Sequence, residues 1–237
     1  MKIMTFNTQH CMNFLTREID YEIMARTIKD CGADVVGLNE IRGEGPMPDF
    51  DAQTEILSEF TEMPYKFFAK AIDIDDKNPY GNAMLSKVAI KTAEVITIPD
   101  PEPKIEGQFY ESRCILKAVM ENGLTVLITH FGLNRDEQVS AVETVLKTIT
   151  DEKCILMGDF NVCPDDEILI PIREKMRDTA DFFDEPRLSF VSDVPDRKID
   201  YIFVSRDIEV LSADIPAIIA SDHRPHIAEI AFQGAEE

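Results

Sequence analysis

Tryptophan is absent from this 237-residue chain, and cationic residues are scarce: 24 Lys and Arg stand against 45 Asp and Glu, a formal charge of −21. Proteins that grip a duplex neutralise its phosphates with Lys and Arg. No Lys/Arg-rich run occurs here, and Lys66, Lys70, Lys77 and Lys87 offer at most a local patch inside a field that repels polyanions. Long nucleic acid is therefore disfavoured as a partner. The cysteines are five, Cys11, Cys31, Cys114, Cys154 and Cys163, odd in number and without a C-x-x-C pair. That argues against a disulfide framework and a zinc site, and no disulfide-linked partner is expected. No window of about 18 consecutive apolar residues exists, and the N-terminus enters a strand pattern at once, so the expectation is a soluble cytoplasmic protein with no membrane partner.

What is present suits one compact domain. A 44% hydrophobic content over this length fills a sizeable core, and residues 1–237 are taken as one domain. Apolar patterns predict strands at 2–7, 34–38, 65–69, 82–86, 88–98, 112–120, 124–130, 154–158, 199–204, 208–213 and 226–232. Helical patterns fall near 18–31, 51–61, 135–150 and 165–176, with Gly32 as a stop and Asn134 as a cap. Strands 112–120 and 124–130 flank Glu121-Asn122-Gly123 as a hairpin. The strand excess argues against a purely parallel sheet. It favours an α+β fold in which two mixed sheets pack face to face with helices outside.

Chemistry-bearing residues gather where strands end. Gly158-Asp159-Phe160-Asn161 follows the run Cys154-Ile155-Leu156-Met157 and sets a carboxylate and a carboxamide two residues apart. Open sheets place ligands at such edges, although Gly, Asp and Asn also favour plain turns. Four further strands carry Asn7, Glu40, His130 and Asp200, read as strand ends, and Ser221-Asp222-His223 sits near the C-terminus. Asp200, embedded in Ile199-Asp200-Tyr201-Ile202, needs a buried partner, and a histidine is a good candidate. His10, three residues past Asn7, is placed where it could approach the site but is read first as a surface-loop residue, and His226, at the start of a strand, as structural.

The ordered set Phe6-Asn7, Leu38-Asn39-Glu40, Gly81-Asn82-Ala83, Ser112-Arg113, Thr129-His130, Gly158-Asp159-Phe160-Asn161, Ile199-Asp200-Tyr201 and Ser221-Asp222-His223 resembles the endonuclease/exonuclease/phosphatase family from about Lys2 to Phe232. Two motifs depart from the usual pattern: Phe6-Asn7 stands for Trp-Asn, and Leu38-Asn39-Glu40 for Leu-Gln-Glu. Gln9 stands where several of the family's nucleases carry an acid. The resemblance implies a four-layered α/β/β/α sandwich and a divalent-metal-dependent phosphate-ester hydrolase. By the same resemblance Glu40, with Asn7 and Asp222, holds Mg2+, or Mn2+ in the same oxygen-rich setting. Asp159 activates water and Asn161 steadies the phosphate. His223, charged by Asp200, clamps the phosphate; His130 donates a second hydrogen bond; Arg113 orients His130, and Asn82 supports the phosphate pocket.

Substrate class is set by charge more than by motif. A small soluble phosphodiester or phosphomonoester is the first expectation. A DNA or RNA nuclease using the same residues is the alternative, and a catalytically silent binding module is a third reading, opposed by the intact polar set. Four histidines without an early Asp-x-His argue against a calcineurin-like dimetal phosphatase.

Overall fold

Each central strand alternates between two apolar environments, and that alternation builds the layers. In β1 (Lys2–Asn7), Ile3 enters one cluster while Met4 and Phe6 enter another. Val35 and Val36 of β2 (Val35–Arg42) divide the same way. In β7 (Thr125–His130), β8 (Cys154–Asp159) and β10 (Asp200–Ser205), residues such as Ile128, Met157 and Ile202 join the cluster of Ile3, whereas Leu127, Leu156 and Phe203 face a third. A side-chain period of two thus produces three apolar seams. The central one lies between two sheets. The outer two are closed by helices: α1 (Tyr21–Cys31) and α2 (Gln53–Thr61) on one side, α3 (Arg135–Thr148) and α4 (Ile170–Lys175) on the other, through Met24, Leu57, Val145 and Ile172. This computed structural model describes residues 1–233 and has the expected four-layered α/β/β/α architecture.

The remaining strands are β3 (Tyr65–Ile74), β4 (Asn78–Ser86), β5 (Ile90–Thr97), β6 (Cys114–Met120), β9 (Met176–Asp178), β11 (Glu209–Asp214) and β12 (His226–Ala231). One sheet runs β11-β12-β1-β2-β4-β3 and the other β5-β6-β7-β8-β10-β9, six strands each. Each has one parallel pair at its centre, β1 with β2 and β7 with β8, flanked by antiparallel neighbours. The two parallel pairs bring Asn7 opposite Asn39, and His130 opposite Asp159, at their carboxyl ends.

Local signals work as expected at several boundaries. Gly32 caps α1 in the left-handed region at φ 68°, and Asn134 opens α3 with a capping box closed by Glu137. The helical pattern at 165–176 differs: a short 3-10 turn, Glu167–Leu169, precedes α4, and Pro171 lies in the first turn of that helix. Proline lacks an N–H and fits only a first turn, so the helix restarts there. β9 has only three residues and no pattern long enough to announce it. No helix among the described residues is long and apolar enough to cross a membrane.

Candidate active site

The inter-sheet faces of the central strands are apolar until they reach one edge, where they become polar. Following Ile3 and Thr5, the same face of β1 carries Asn7; following Ile128, that of β7 carries His130; following Met157, that of β8 carries Asp159. Asp200 differs from its expected place, because it begins β10 instead of ending it. Since β10 runs antiparallel to β8, its first residue pairs with Asp159 and reaches the same edge. Glu40 arrives by another device. The β2–β4 register shifts between Leu38 and Ile41, and Glu40 has φ 60°, so a bulge turns its side chain toward the edge.

Asp159 is the centre of the cluster. It is 1% exposed, and Oδ1 accepts the Asn161 backbone N–H (2.9 Å) while Oδ2 accepts Asn7 Nδ2 (3.0 Å). His130 Nε2 and His223 Nε2 each lie 3.6 Å from Oδ2. Burial pushes its carboxyl up to about 7, aided by nearby Asp200 and opposed by His223. Burial acts the other way on His223, yet Asp200, Asp159 and Asp222 together overcome it and raise the imidazole to about 10. Asp200 Oδ2 lies 2.8 Å from His223 Nδ1, supplying the partner that the buried acid required. Asp200 Oδ1 has no hydrogen-bond partner, and Lys198 packs nearby, buried, with Nζ 3.6 Å from Asp178. Burial lowers the Lys198 ammonium to about 8 despite the carboxylates of Asp178 and Asp200.

His130 behaves oppositely to His223. Burial, then the charges of Arg113 and His223, holds it well below the ordinary imidazole range. Arg113 Nη1 donates to Nδ1 at 2.9 Å, which leaves Nε2 as the protonated nitrogen facing Asp159. Arg113 is itself held by Glu111 at 2.7 Å. Asn161, at φ 50°, gives one amide N–H to Phe131 O (3.0 Å) and keeps its nitrogen 3.2 Å from His130 Nε2.

Two expected roles are altered. Asn82 does not reach the pocket: its Oδ1 accepts Asn39 Nδ2 (2.8 Å) and its Nδ2 donates to Cys114 O (3.1 Å), so it belongs to the inter-sheet scaffold. Asn7 turns its amide nitrogen, not an oxygen, toward Glu40 (3.0 Å) and Asp159. Its Oδ1 accepts the Gln9 backbone N–H, and the acidic neighbours require a donor. Asn7 therefore bridges two carboxylates, leaving Glu40 and Asp222 as the oxygen donors for a cation. Those two line one pocket, and burial followed by Glu40 pushes the Asp222 carboxyl up. Neighbouring carboxylates that repel one another fit a divalent cation. The trio Asp159, Asp200 and His223 is also close enough to chelate, but the short Nδ1–Oδ2 contact and the raised imidazole make Asp200 and His223 a hydrogen-bonded ion pair.

Residues outside the expected set complete the site. Asn39 is fully buried and spans the sheets: Nδ2 donates to Asn82 and to Thr129 O (2.9 Å), and Oδ1 accepts the Asp159 backbone N–H (3.0 Å). Its signal was a lone amide on the inward face of an apolar strand. His10 is no surface-loop residue, since Nδ1 stands 3.5 Å from Glu40 Oε2 and burial pulls the imidazole down against the pull of Glu40. His226 is structural as expected, bonded to Thr179 and Asp200 O in the core. The pocket holds about 330 Å³, with Leu133, Phe190 and Ile199 as apolar walls and Arg113 and Arg197 as cations. Phe190 packs against His223 with ring centroids 4.7 Å apart; nothing in its sequence context marks it.

The fold has solved counterparts. An endonuclease/exonuclease/phosphatase from Beutenbergia cavernae DSM 12333 superposes with a TM-score of 0.79 at 19% identity, covering 98% of this chain and 71% of that one. A mannosyl-6-phosphatase from Bacteroides thetaiotaomicron VPI-5482 gives 0.76 at 15% identity, covering 98% and 100%. A humanized D. rerio TDP2 gives 0.68 at 16% identity, covering 98% of each chain. At these identities the likeness establishes the fold. No curated protein matches this chain in sequence. The pattern that defines the Endonuclease/Exonuclease/phosphatase family matches residues 4–223, nearly the whole length, and the chain therefore belongs to that family.

Proposed function

We propose that the protein is a divalent-metal-dependent phosphoesterase that hydrolyses a small phosphate ester by in-line attack of water. Members of the family are metal-dependent phosphoesterases or nucleases that act on phosphate esters. The observation that carries the reading is Asp159: buried, held by two donors, and raised to about 7, where a general base is both deprotonated and basic enough to work. Asp159 accepts a proton from the attacking water as its oxygen bonds to phosphorus, and the bond to the leaving oxygen breaks on the opposite side. The His223 imidazolium, kept charged by Asp200, faces the phosphoryl oxygens and offsets their growing charge. His130 Nε2–H and the second Asn161 amide N–H hold the phosphoryl group in place, with Arg113 fixing the His130 tautomer. Glu40 and Asp222 would hold the cation, Mg2+ or Mn2+, which would supply Lewis-acid neutralisation of the phosphoryl oxygens.

Pocket size and field support a small substrate. A cavity of about 330 Å³ lies at the lower end of small-molecule sites, and a net charge of −21 opposes polyanions. The test is hydrolysis of bis-(p-nitrophenyl) phosphate and p-nitrophenyl phosphate with Mg2+ or Mn2+, with and without chelator, beside plasmid nicking. Metal-dependent release of nitrophenol without nicking is the expected result. Nicking that outpaces both esters makes the protein a nuclease instead.

A further inference from the structure

We propose that His10 supplies a nitrogen ligand to the divalent cation held at Glu40, and so shifts the site's preference from Mg2+ toward a first-row transition cation such as Mn2+. The inference rests on the reading that Glu40 holds a catalytic metal. The two oxygens of Glu40 have different surroundings. Oε1 accepts Asn7 Nδ2 at 3.0 Å, whereas Oε2 lies 3.5 Å from His10 Nδ1. That separation is long for a hydrogen bond, and Nδ1 is shielded from solvent with no hydrogen-bond partner. It is also the spacing of two ligands on one ion: bonds of about 2.1 Å place ligands between about 3 and about 4 Å apart. Gln9 Oε1, the preceding side-chain oxygen, is likewise buried without a partner. A cation at Oε2 satisfies a lone pair that the protein leaves unused.

The backbone supports the same conclusion. Gln9, His10 and Cys11 lie at φ 47°, 51° and 63°, three consecutive non-glycine residues in the left-handed region. Such strain persists only where surrounding structure fixes it, and it concentrates at functional sites. Here Gln53 fixes it: fully buried on α2, it donates to His10 O at 2.8 Å and accepts the Arg42 N–H at 2.9 Å. One side chain thus ties the turn bearing His10 to the strand bearing Glu40. A Gln53 clamp and a left-handed turn hold the imidazole beside a carboxylate that it does not hydrogen-bond. An imidazole suits transition cations, whereas Mg2+ prefers an all-oxygen shell.

The test uses Mn2+ as the probe, bound to the full chain and to His10→Gly and His10→Asn, both residues that tolerate φ 51°. Pulsed electron paramagnetic resonance reads ¹⁴N coupling to the bound ion, and titration reads Mn2+ and Mg2+ affinity. The inference expects ¹⁴N coupling in the native protein, its loss in both variants, and Mn2+ affinity weakened about 10-fold or more while Mg2+ affinity changes little. Mn2+ bound without nitrogen coupling overturns the role of His10 and leaves the phosphoesterase reading standing. Coupling that survives in both variants, or equal weakening of both metals, overturns it too, since the first indicates another imidazole and the second a merely structural contact. Failure to bind Mn2+ or Mg2+ at all removes this inference and the metal-dependent reading together.

Discussion

Asp159 and His223 are 3.6 Å apart in one buried cluster, yet a different influence prevails at each. Burial raises the acid, and three carboxylates keep the imidazole charged against burial. Asp200→Asn removes the carboxylate that touches Nδ1, so the His223 imidazole should fall from about 10 toward or below its ordinary 6.5. An NMR titration of the ring nitrogens reads that change, and an unchanged titration refutes the role given to Asp200. His226 offers a second pH test, in the core beside the Asp200 backbone. Burial, then Lys198, lowers its imidazole to about 4, below the 6.5 of an exposed ring. The unfolded chain therefore binds the extra proton between those values. Stability is full above about pH 6.5 and falls as pH drops toward 4, by about 3 kcal/mol at most. The urea midpoint of the native protein should drop more between pH 7.5 and 5 than that of His226→Gln. Equal drops would contradict the assignment. These environments were only partly legible in the sequence: a lone acid in Ile199-Asp200-Tyr201 signalled a buried partner, but nothing local announced that His10 sits beside Glu40.

Strands are the element that makes the site, because a period of two puts their last inward-facing residues together at one edge. Asn7, His130 and Asp159 continue the same faces as Ile3, Ile128 and Met157, so their convergence follows from alternation once two sheets are stacked. Register and bulges do not follow. Glu40 reaches the edge through an irregularity between Leu38 and Ile41 that no composition rule marks, and Asp200 gets there by opening an antiparallel strand. Asn39 shows how closely element and site are joined: it ties β2 to β7 and β8 and holds the backbone of Asp159. Asn39→Ala removes the side-chain partner of Thr129 O, Asn82 Oδ1 and the Asp159 N–H in the interior, a loss of about 3 kcal/mol. Chemical denaturation should show that loss together with reduced turnover. Gly158 is the second element-scale constraint. At φ 147° a Cβ would stand 1.8 Å from Thr129 O in the parallel partner strand, and Gly158→Ala should cost about 3 kcal/mol or more through displaced backbone. Wild-type stability in that variant would mean that β7 and β8 are not packed as described.

The whole molecule contributes architecture and field. Two sheets with helices outside were legible from the strand excess and the hairpin at Glu121-Asn122-Gly123, because each cue is local. Strand order was not, since the pairing of β12 with β1 joins residues 226–231 to residues near the N-terminus and leaves no local trace. The formal charge of −21 sets how an anionic ester approaches the cationic pocket groups Arg113, Arg197 and His223. Raising salt from about 0.05 to about 0.3 M should leave kcat/KM for a small anionic ester unchanged or higher, because screening weakens the repulsive far field. A steep fall would instead indicate the phosphate contacts of a nucleic-acid enzyme. All of these features converge on one carboxylate, and the decisive measurement is turnover of bis-(p-nitrophenyl) phosphate by the native protein and by Asp159→Asn, with saturating Mn2+ or Mg2+ and matched circular dichroism. The account predicts metal-dependent turnover that falls about 100-fold or more in the folded variant, as removal of a general base requires. Turnover that is retained in Asp159→Asn, or that proceeds undiminished in chelator, would contradict it.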